Sequence, residues 1–184
     1  MKIILLDRTH EMPLDIERQS GVMADSAVVV AGRPLFLPDF STTWTARVYI
    51  AYRIGRLGKT IKARYASRYY DAVTLALRLI PSDIPEKSSV CSFFDNAIAL
   101  APFFEFGDGE LSSDGQPEIL TLENHGFNID RNLIAEVIER VSRYSTLRNG
   151  DIIMPEYQNL EVEIHPKIDL RGNIGHLPFA FPIR

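Results

Sequence analysis

The segment from residue 36 to residue 83 constrains the fold most, because it holds two long apolar runs on either side of a tight turn. Trp44 to Ile54 alternates like a strand, with one face of Val48, Ile50, Tyr52 and Ile54 and another of Arg47, Tyr49, Ala51 and Arg53. Arg56 to Lys59 predicts the turn, since Gly58 supplies backbone freedom. Val73 to Ile80 predicts a second buried strand with a single charge, Arg78. Each predicted strand therefore carries an arginine in its interior.

Length and composition predict one globular domain spanning residues 1–184, because a chain of 184 residues can bury a real core. The hydrophobic share of 46% and the charged share of 24% are typical of globular proteins. A net charge of −4 argues against a nucleic-acid partner, which needs a clustered basic face. The apolar run before Asp7 is too short for a signal peptide or a membrane span, and the single Cys91 suits a reducing compartment. We expect a cytoplasmic protein without a membrane or nucleic-acid partner.

Four short segments occur in an order that carries further information. They are Pro38-Asp39-Phe40-Ser41, Gly58-Lys59, Arg68-Tyr69-Tyr70-Asp71, and the run from Val141 to Ile153 that contains Thr146-Leu147-Arg148-Asn149-Gly150-Asp151. Together they resemble scaffold motifs of the fumarylacetoacetate hydrolase superfamily, and the resemblance covers roughly residues 1–154. It implies an α+β fold, a mixed β-roll or β-sandwich of that family's C-terminal-domain type, with one main helix and short peripheral helices.

The main helix can be located from its own pattern. Asp130 is a plausible N-cap, and an apolar stripe follows at helical spacing: Leu133, Ile134, Val137, Ile138 and Val141. We therefore predict a helix that begins after Asp130 and ends before the turn at Asn149-Gly150.

The resemblance also implies where the family's metal ligands would lie. A Glu-x-Glu pair would fall on Arg47 and Tyr49, and a third acid would fall on Arg78. In the family these three carboxylates hold a divalent cation that grips a keto-acid substrate. A guanidinium carries donors only and does not lose its proton, so it cannot take the place of an oxygen ligand. The resemblance thus implies that this chain has no metal site and no cofactor there.

Other positions of the family's chemistry are replaced as well. The family's catalytic Lys falls on Ser92, another Lys falls on Met23, and its Gly-Thr-Pro falls on Met154-Pro155-Glu156. His10 lies near the position of the family's lid histidine, but an exposed loop histidine is the stronger interpretation. His165 and His176 lack the tight spacing of a metal site, and the Gly-rich run from Gly107 to Gly115 predicts a surface loop.

These replacements lead to a first hypothesis: a superfamily member that has lost its metal and its catalytic residues and has a structural, regulatory or ligand-binding role. Arg47, Arg78 and Tyr49 are candidates to bind a small carboxylate. In the interpretation we favour, both arginines pair with Asp or Glu and fill the old cavity beside Tyr49. We expect a homodimer, or pairing with an active paralogue. Trp44, Tyr69, Tyr70 and the Phe-rich C-terminus are candidates for such a surface, with core positions as the default.

The alternative is an active hydrolase, isomerase or decarboxylase of the superfamily. It would act on acylpyruvate-like or 2-hydroxy-diene diacids, as a 2-hydroxyhepta-2,4-diene-1,7-dioate isomerase does. Metal ligands would then have to come from shifted positions, with Asp71, Asp83, Asp95 and Glu105 as candidates. Divalent-metal binding separates the two hypotheses.

Overall fold

The structure, a computed structural model, describes residues 1–11, 13–85, 88–106 and 120–184. The strands are β1 (Ile3–Leu6), β2 (Ser20–Met23), β3 (Val28–Val29), β4 (Trp44–Ile54), β5 (Tyr70–Pro81), β6 (Ile98–Leu100), β7 (Phe104–Glu105), β8 (Leu120–Leu122), β9 (His125–Phe127), β10 (Ile152–Ile164), β11 (Asp169–Ile174) and β12 (Leu177–Pro182). The helices are α1 (Ile16–Gln19) and α2 (Arg131–Tyr144), with short 3-10 helices at Asp25–Ala27, Ala63–Arg68 and Ser89–Ser92. The predicted loop at 107–115 lies outside the described residues.

Strands β4 and β5 form the centre of the larger sheet, as their apolar patterns predict. They pair antiparallel from Trp44 opposite Pro81 to Ile54 opposite Tyr70, with a register shift after Arg53. The order across this sheet is β2-β1-β10-β4-β5-β6-β3, and β7 also pairs with β5. Nearly every residue of β5 is buried, which explains why its sequence is a continuous apolar run rather than an alternating one.

The long strand β10 connects the first strand to this centre. It pairs in parallel with β1, where Leu6 lies opposite Pro155, and antiparallel with β4, where Glu156 lies opposite Tyr49. Its register against β4 shifts between Glu156 and Glu161. This arrangement brings the residue after β1, Asp7, to the same end of the sheet as Glu156.

Helix α2 confirms the predicted main helix. The Asp130 carboxylate caps it by accepting from the backbone N–H groups of Asn132 and Leu133, both at 2.9 Å. Its buried residues include Ile134, Val137, Ile138 and Val141, four of the five predicted stripe positions. The helix packs against the short helix Ala63–Arg68, and the backbone N–H of Ile61 donates to the Ser142 hydroxyl at 2.8 Å.

The C-terminal segment belongs to a smaller sheet of order β12-β11-β8-β9. Phe179 and Phe181 are buried there, and Trp44 and Tyr70 are buried in the larger sheet. All four are therefore core residues of this chain, as the default interpretation has it. In the described ranges, no helix has the length and apolar character to traverse a membrane. One main helix and short helices beside a mixed sheet and a smaller antiparallel sheet confirm the predicted α+β class.

Candidate functional site

Three predicted site residues meet on one face of the central hairpin. Arg47 of β4 lies directly opposite Arg78 of β5, and the Tyr49 hydroxyl lies 3.5 Å from Nη1 of Arg78. The side chains are 12% exposed at Arg47 and 7% exposed at Arg78. The structure thus brings two guanidinium groups and a phenol together on this face.

Asp7 is the first partner of this group. Its carboxylate accepts a short hydrogen bond from the Tyr49 hydroxyl. Nη1 of Arg78 lies 3.2 Å from its Oδ2, and Nη1 of Arg47 lies 4.0 Å from its Oδ1. One carboxylate therefore faces both arginines. Nη2 of Arg78 also donates to the backbone carbonyl of Cys91 at 3.4 Å.

Glu156 is the second partner and is almost fully buried. Nε of Arg47 lies 3.2 Å from its Oε1, and its Oε2 accepts a short hydrogen bond from the backbone N–H of Arg8. The Thr9 hydroxyl donates to the backbone carbonyl of Glu156 at 2.6 Å. Burial raises the pKa of the Glu156 carboxyl above 4.5, although the Arg8 amide and the Arg47 charge act in the opposite direction.

Glu161 closes the network towards the solvent. Its Oε1 lies 2.6 Å from Nη2 and 3.0 Å from Nε of Arg47. Arg47 thereby spans the register shift of β10, touching a buried acid before the shift and a half-exposed acid after it. The two arginines face three carboxylates in total, so their charge is compensated within the chain.

Tyr49 is held in its neutral form by this setting. Burial raises the pKa of its hydroxyl, and the negative charge of Asp7 raises it further. A neutral phenol can donate its proton to Asp7, which is the bond observed. The group therefore acts as a donor here and offers no anionic oxygen to a cation.

The residues at this centre do not fit a divalent cation. Such ions need several oxygen ligands, whereas here the acids are engaged by guanidinium groups that would repel a cation. Across residues 1–11, 13–85, 88–106 and 120–184, no group of three His, Cys, Asp or Glu side chains is arranged to hold a metal ion.

The four carboxylates considered as alternative metal ligands do not converge on one point. Asp71 and Glu105 both pair with Arg53, at 2.7 and 3.1 Å. Asp83 accepts from the Ser41 hydroxyl at 2.5 Å, and Asp95 is exposed.

The remaining predicted positions lie apart from the arginine pair. Ser92 is exposed on a short helix, and Met23 is buried on β2. His10 is exposed, as predicted, with its Nε2 3.0 Å from Nδ2 of Asn159. His165 is an exposed histidine with Nε2 3.7 Å from a Glu163 oxygen.

A cavity of about 370 Å³ borders Glu156. It lies between β4, β10 and the start of α2, and its lining includes Thr9, His10, Tyr52, Asp130, Glu136 and Glu156. Three of these side chains are acids, so the cavity is a poor site for a small carboxylate.

Sequence reasoning did not identify Asp7 or Glu161 as members of the site, and it named Glu156 only as part of a replaced family segment, not as a partner of the arginines. Two arginines inside apolar strands carry a signal, because buried charges require partners. Asp7 directly follows one apolar strand and Glu156 lies within another. The parallel pairing of β1 with β10, which brings them together, is a long-range contact that a local pattern does not specify.

Comparison with known proteins shows which fold this is. No family model matches the chain, and no curated protein sequence matches it. Solved structures do match over the whole chain.

One is the fumarylpyruvate hydrolase of Pseudomonas aeruginosa in complex with Mn²⁺ and pyruvate, with a TM-score of 0.74, 19% identity, and coverage of 100% of this chain and 89% of that one. A second is 2-hydroxyhepta-2,4-diene-1,7-dioate isomerase from Mycobacterium marinum, with a TM-score of 0.74, 18% identity, and 99% and 73% coverage.

A third is 5-carboxymethyl-2-hydroxymuconate delta-isomerase from Mycobacterium smegmatis, with a TM-score of 0.75, 18% identity, and 99% and 76% coverage. Identities below a fifth with near-complete superposition describe a shared fold with a divergent sequence. Two further matched structures are named as a fumarylacetoacetate hydrolase family protein, from Yersinia pestis, and a fumarylacetoacetate isomerase/hydrolase, from Oleispira antarctica, and have TM-scores of 0.73 and 0.75 at 19% identity. The chain therefore has the fold of the fumarylacetoacetate hydrolase family, as the sequence motifs predict.

Proposed function

We propose that this chain is a divergent homologue of the fumarylacetoacetate hydrolase family that has given up metal-dependent catalysis and has a structural or regulatory role. The observation that supports this is the ion-pair network of Arg47 and Arg78 with Asp7, Glu156 and Glu161. On this proposal it works in the cytoplasm, as a homodimer or beside an active relative.

The physical argument rests on charge. A metal-dependent hydrolase needs a centre whose negative charge is left for the cation, and here positive side chains supply the compensation internally. Removing one partner from such a network leaves a buried charge alone, which is costly. The arrangement therefore favours a centre whose charges are compensated within the chain, with Nε of Arg78 and Oε1 of Glu156 as the buried atoms there that lack a hydrogen-bond partner among the described residues.

The ligand-binding version of the proposal has less support. A small carboxylate would have to displace Asp7 or Glu156 from Arg78 or Arg47, because both arginines are already in contact with carboxylates. The cavity beside Glu156 is lined by acids and would disfavour the same ligand.

Metal binding is the decisive test. Chelator-treated protein would be titrated calorimetrically with Mg²⁺ and Mn²⁺ and assayed on acylpyruvates, with the Pseudomonas fumarylpyruvate hydrolase as the positive control. We expect neither stoichiometric metal nor turnover. Tight metal binding together with turnover would restore the active-enzyme hypothesis.

A thermal-shift series with pyruvate and related carboxylates tests the ligand-binding version. A ligand that binds only the folded state raises the melting temperature, and the rise grows with the logarithm of its concentration above Kd. We expect no shift. A shift that is lost in Arg78→Ala but kept in the exposed-site control Arg33→Ala would show that the arginine pair holds a carboxylate.

A further inference from the structure

A second concentration of positive charge lies at the opposite end of the central hairpin. We call it the basic surface and define it as Arg56, Lys59, Lys62, Arg64, Arg68 and Arg148, all of which are exposed. Arg47 and Ile54 are seven residues apart on β4, a span of about 23 Å at the usual rise of a strand. The basic surface is therefore separate from the buried network, and its role does not depend on the metal-free centre.

Backbone hydrogen bonds hold the basic surface together. The Gly55 N–H donates to the Tyr69 carbonyl at 2.9 Å. Arg56 follows Gly55 and Arg68 precedes Tyr69, so this hydrogen bond brings the backbones of the two arginines close together. Gly58 and Leu147 exchange two backbone bonds of 3.0 and 2.9 Å, so Arg148 lies beside the turn. Segments that carry cations and are distant in sequence are thus joined at this end of the hairpin.

Two of the guanidinium groups are stacked on an aromatic ring. The Cζ atoms of Arg64 and Arg68 lie 4.7 and 5.3 Å from the centre of the Tyr65 ring. Cation–π contacts of this kind orient both side chains before a partner arrives, which reduces the entropy lost on binding.

Negative charge is scarce on this surface. Within the ranges that the structure describes, no carboxylate oxygen lies within 4.0 Å of the side-chain nitrogen atoms of Arg56, Lys59, Arg64, Arg68 or Arg148. The Lys62 ammonium contacts Glu139 at 3.4 Å, and the Asp151 carboxylate accepts from the backbone N–H of Arg148 at 2.9 Å. A chain with a net charge of −4 thus concentrates positive charge locally.

An exposed apolar side chain lies in the middle of these charges. Leu57 is 68% exposed, more than any other large hydrophobic residue in the described ranges, and it stands between Arg56 and Gly58 at the turn. Arg and Tyr around an exposed Leu are residue types that protein interfaces favour.

We propose that the basic surface docks an acidic segment of a protein partner that also offers an apolar contact to Leu57. Guanidinium forks match carboxylates bidentately, and their orientation by Tyr65 favours a partner with positioned acids. A membrane attracts basic residues mainly through their total charge, so the orientation of Arg64 and Arg68 favours a partner with positioned acids over a membrane surface. A nucleic acid would need an open aromatic face for its bases, whereas the Tyr65 ring already stacks with two guanidinium groups.

The test uses a fluorescently labelled peptide of alternating Glu and Leu, with a Gln-Leu peptide as the neutral control, measured by anisotropy on the full chain. We expect the acidic peptide to bind and Arg64→Ala/Arg68→Ala to weaken it about tenfold or more. Arg64→Lys/Arg68→Lys keeps the charge but loses the fork, so it should also weaken binding. Arg33→Ala/Arg171→Ala removes two exposed arginines elsewhere and should leave affinity unchanged.

Several outcomes would overturn the proposal. Equal weakening by the Arg33/Arg171 control would show that net charge, not this surface, drives binding. Full affinity in the Arg64→Lys/Arg68→Lys variant would show that the orientation of the guanidinium groups does not contribute to binding. Tighter, arginine-dependent binding to phosphatidylserine vesicles or to single-stranded RNA would assign the surface to a membrane or a nucleic acid instead. Melting curves of each variant confirm that these exposed substitutions leave the fold intact.

Discussion

Arg47 and Arg78 stand directly opposite each other on neighbouring antiparallel strands, with the Asp7 carboxylate in reach of both. Like charges at such a cross-strand position destabilise a sheet unless something compensates them. Asp7 supplies part of that compensation from the end of β1, and Glu156 supplies more from β10. The pair is thus tolerated because the end of β1 and strand β10 both bring acids to it.

Removing the shared carboxylate should destabilise the fold. Asp7→Asn leaves Arg78 buried without its acidic partner, and we expect a loss of about 2 kcal/mol in the free energy of unfolding. The expectation lies below the range for a fully buried pair because the Asp7 side chain is 29% exposed. Urea denaturation would measure it, with Asp25→Asn as a control at a 67% exposed site.

A double-mutant cycle with Arg78→Met sharpens this prediction. If Asp7 serves mainly to compensate Arg78, the double variant should be more stable than Asp7→Asn alone, since the orphaned charge is gone. Simple addition of the two losses would contradict the proposed pairing.

Glu156 should give the protein an unusual dependence on pH. The pKa of its carboxyl is raised in the folded state, so folding favours the protonated form. The free energy of unfolding should therefore increase through this group as pH falls from neutral towards 4.5. Conversely, this contribution is lost as pH rises through the folded pKa. Glu156→Gln removes the titration, so the stability of the wild-type chain relative to this variant should increase on acidification.

At neutral pH the same substitution should lower the free energy of unfolding by about 1 kcal/mol, less than is usual for a broken buried pair, because Asp7 and Glu161 still face Arg47. Parallel urea titrations between pH 5 and pH 8 would follow the difference. Glu163→Gln alters a carboxylate that is 79% exposed and serves as the matched control. A difference that shrinks on acidification would refute the predicted shift.

Tyr49 should sensitise the fold to alkali. Its folded pKa is raised above the ordinary value of 10.0, so its contribution to stability is complete below pH 10 and is lost as pH rises beyond it. One such group contributes a slope of about 1.4 kcal/mol per pH unit. Tyr49→Phe should therefore lose stability less steeply above pH 10 than the wild type. The control Tyr144→Phe, at an exposed site, should lose stability as steeply as the wild type. Equal slopes would contradict the prediction.

Local sequence patterns predict the strands and the main helix well. Trp44–Ile54 is observed at its predicted bounds, the second predicted strand lies within β5, and α2 begins after the predicted cap. These features depend on alternation, helical spacing and capping, which neighbouring residues determine. The motifs that resemble the family also give the correct fold, because they are turn and core segments.

The partners of the arginines could not be predicted in the same way. Asp7 and Arg78 are separated by 71 residues, and Glu161 and Arg47 by 114. Their contacts depend on strand order and on the register shift in β10, which are properties of the whole sheet. The sequence indicates only that buried arginines need acids, and the topology selects which acids.

The turn at Gly58 should be intolerant of any side chain. A Cβ at this position would lie 2.4 Å from Cε1 of Tyr69 and 2.8 Å from Cδ1 of Ile61, so the turn and the aromatic ring would have to separate. We expect Gly58→Ala to lower the free energy of unfolding by about 2 kcal/mol, the cost typical of overpacking.

Gly126→Ala is the matched control, because nothing lies within 4 Å of its Cβ. Because Gly58 also shapes the basic surface, the variant should bind the acidic peptide more weakly at temperatures where it is still folded. Equal stability of the two alanine variants would show that the close approach of Gly58 to Tyr69 does not constrain the turn.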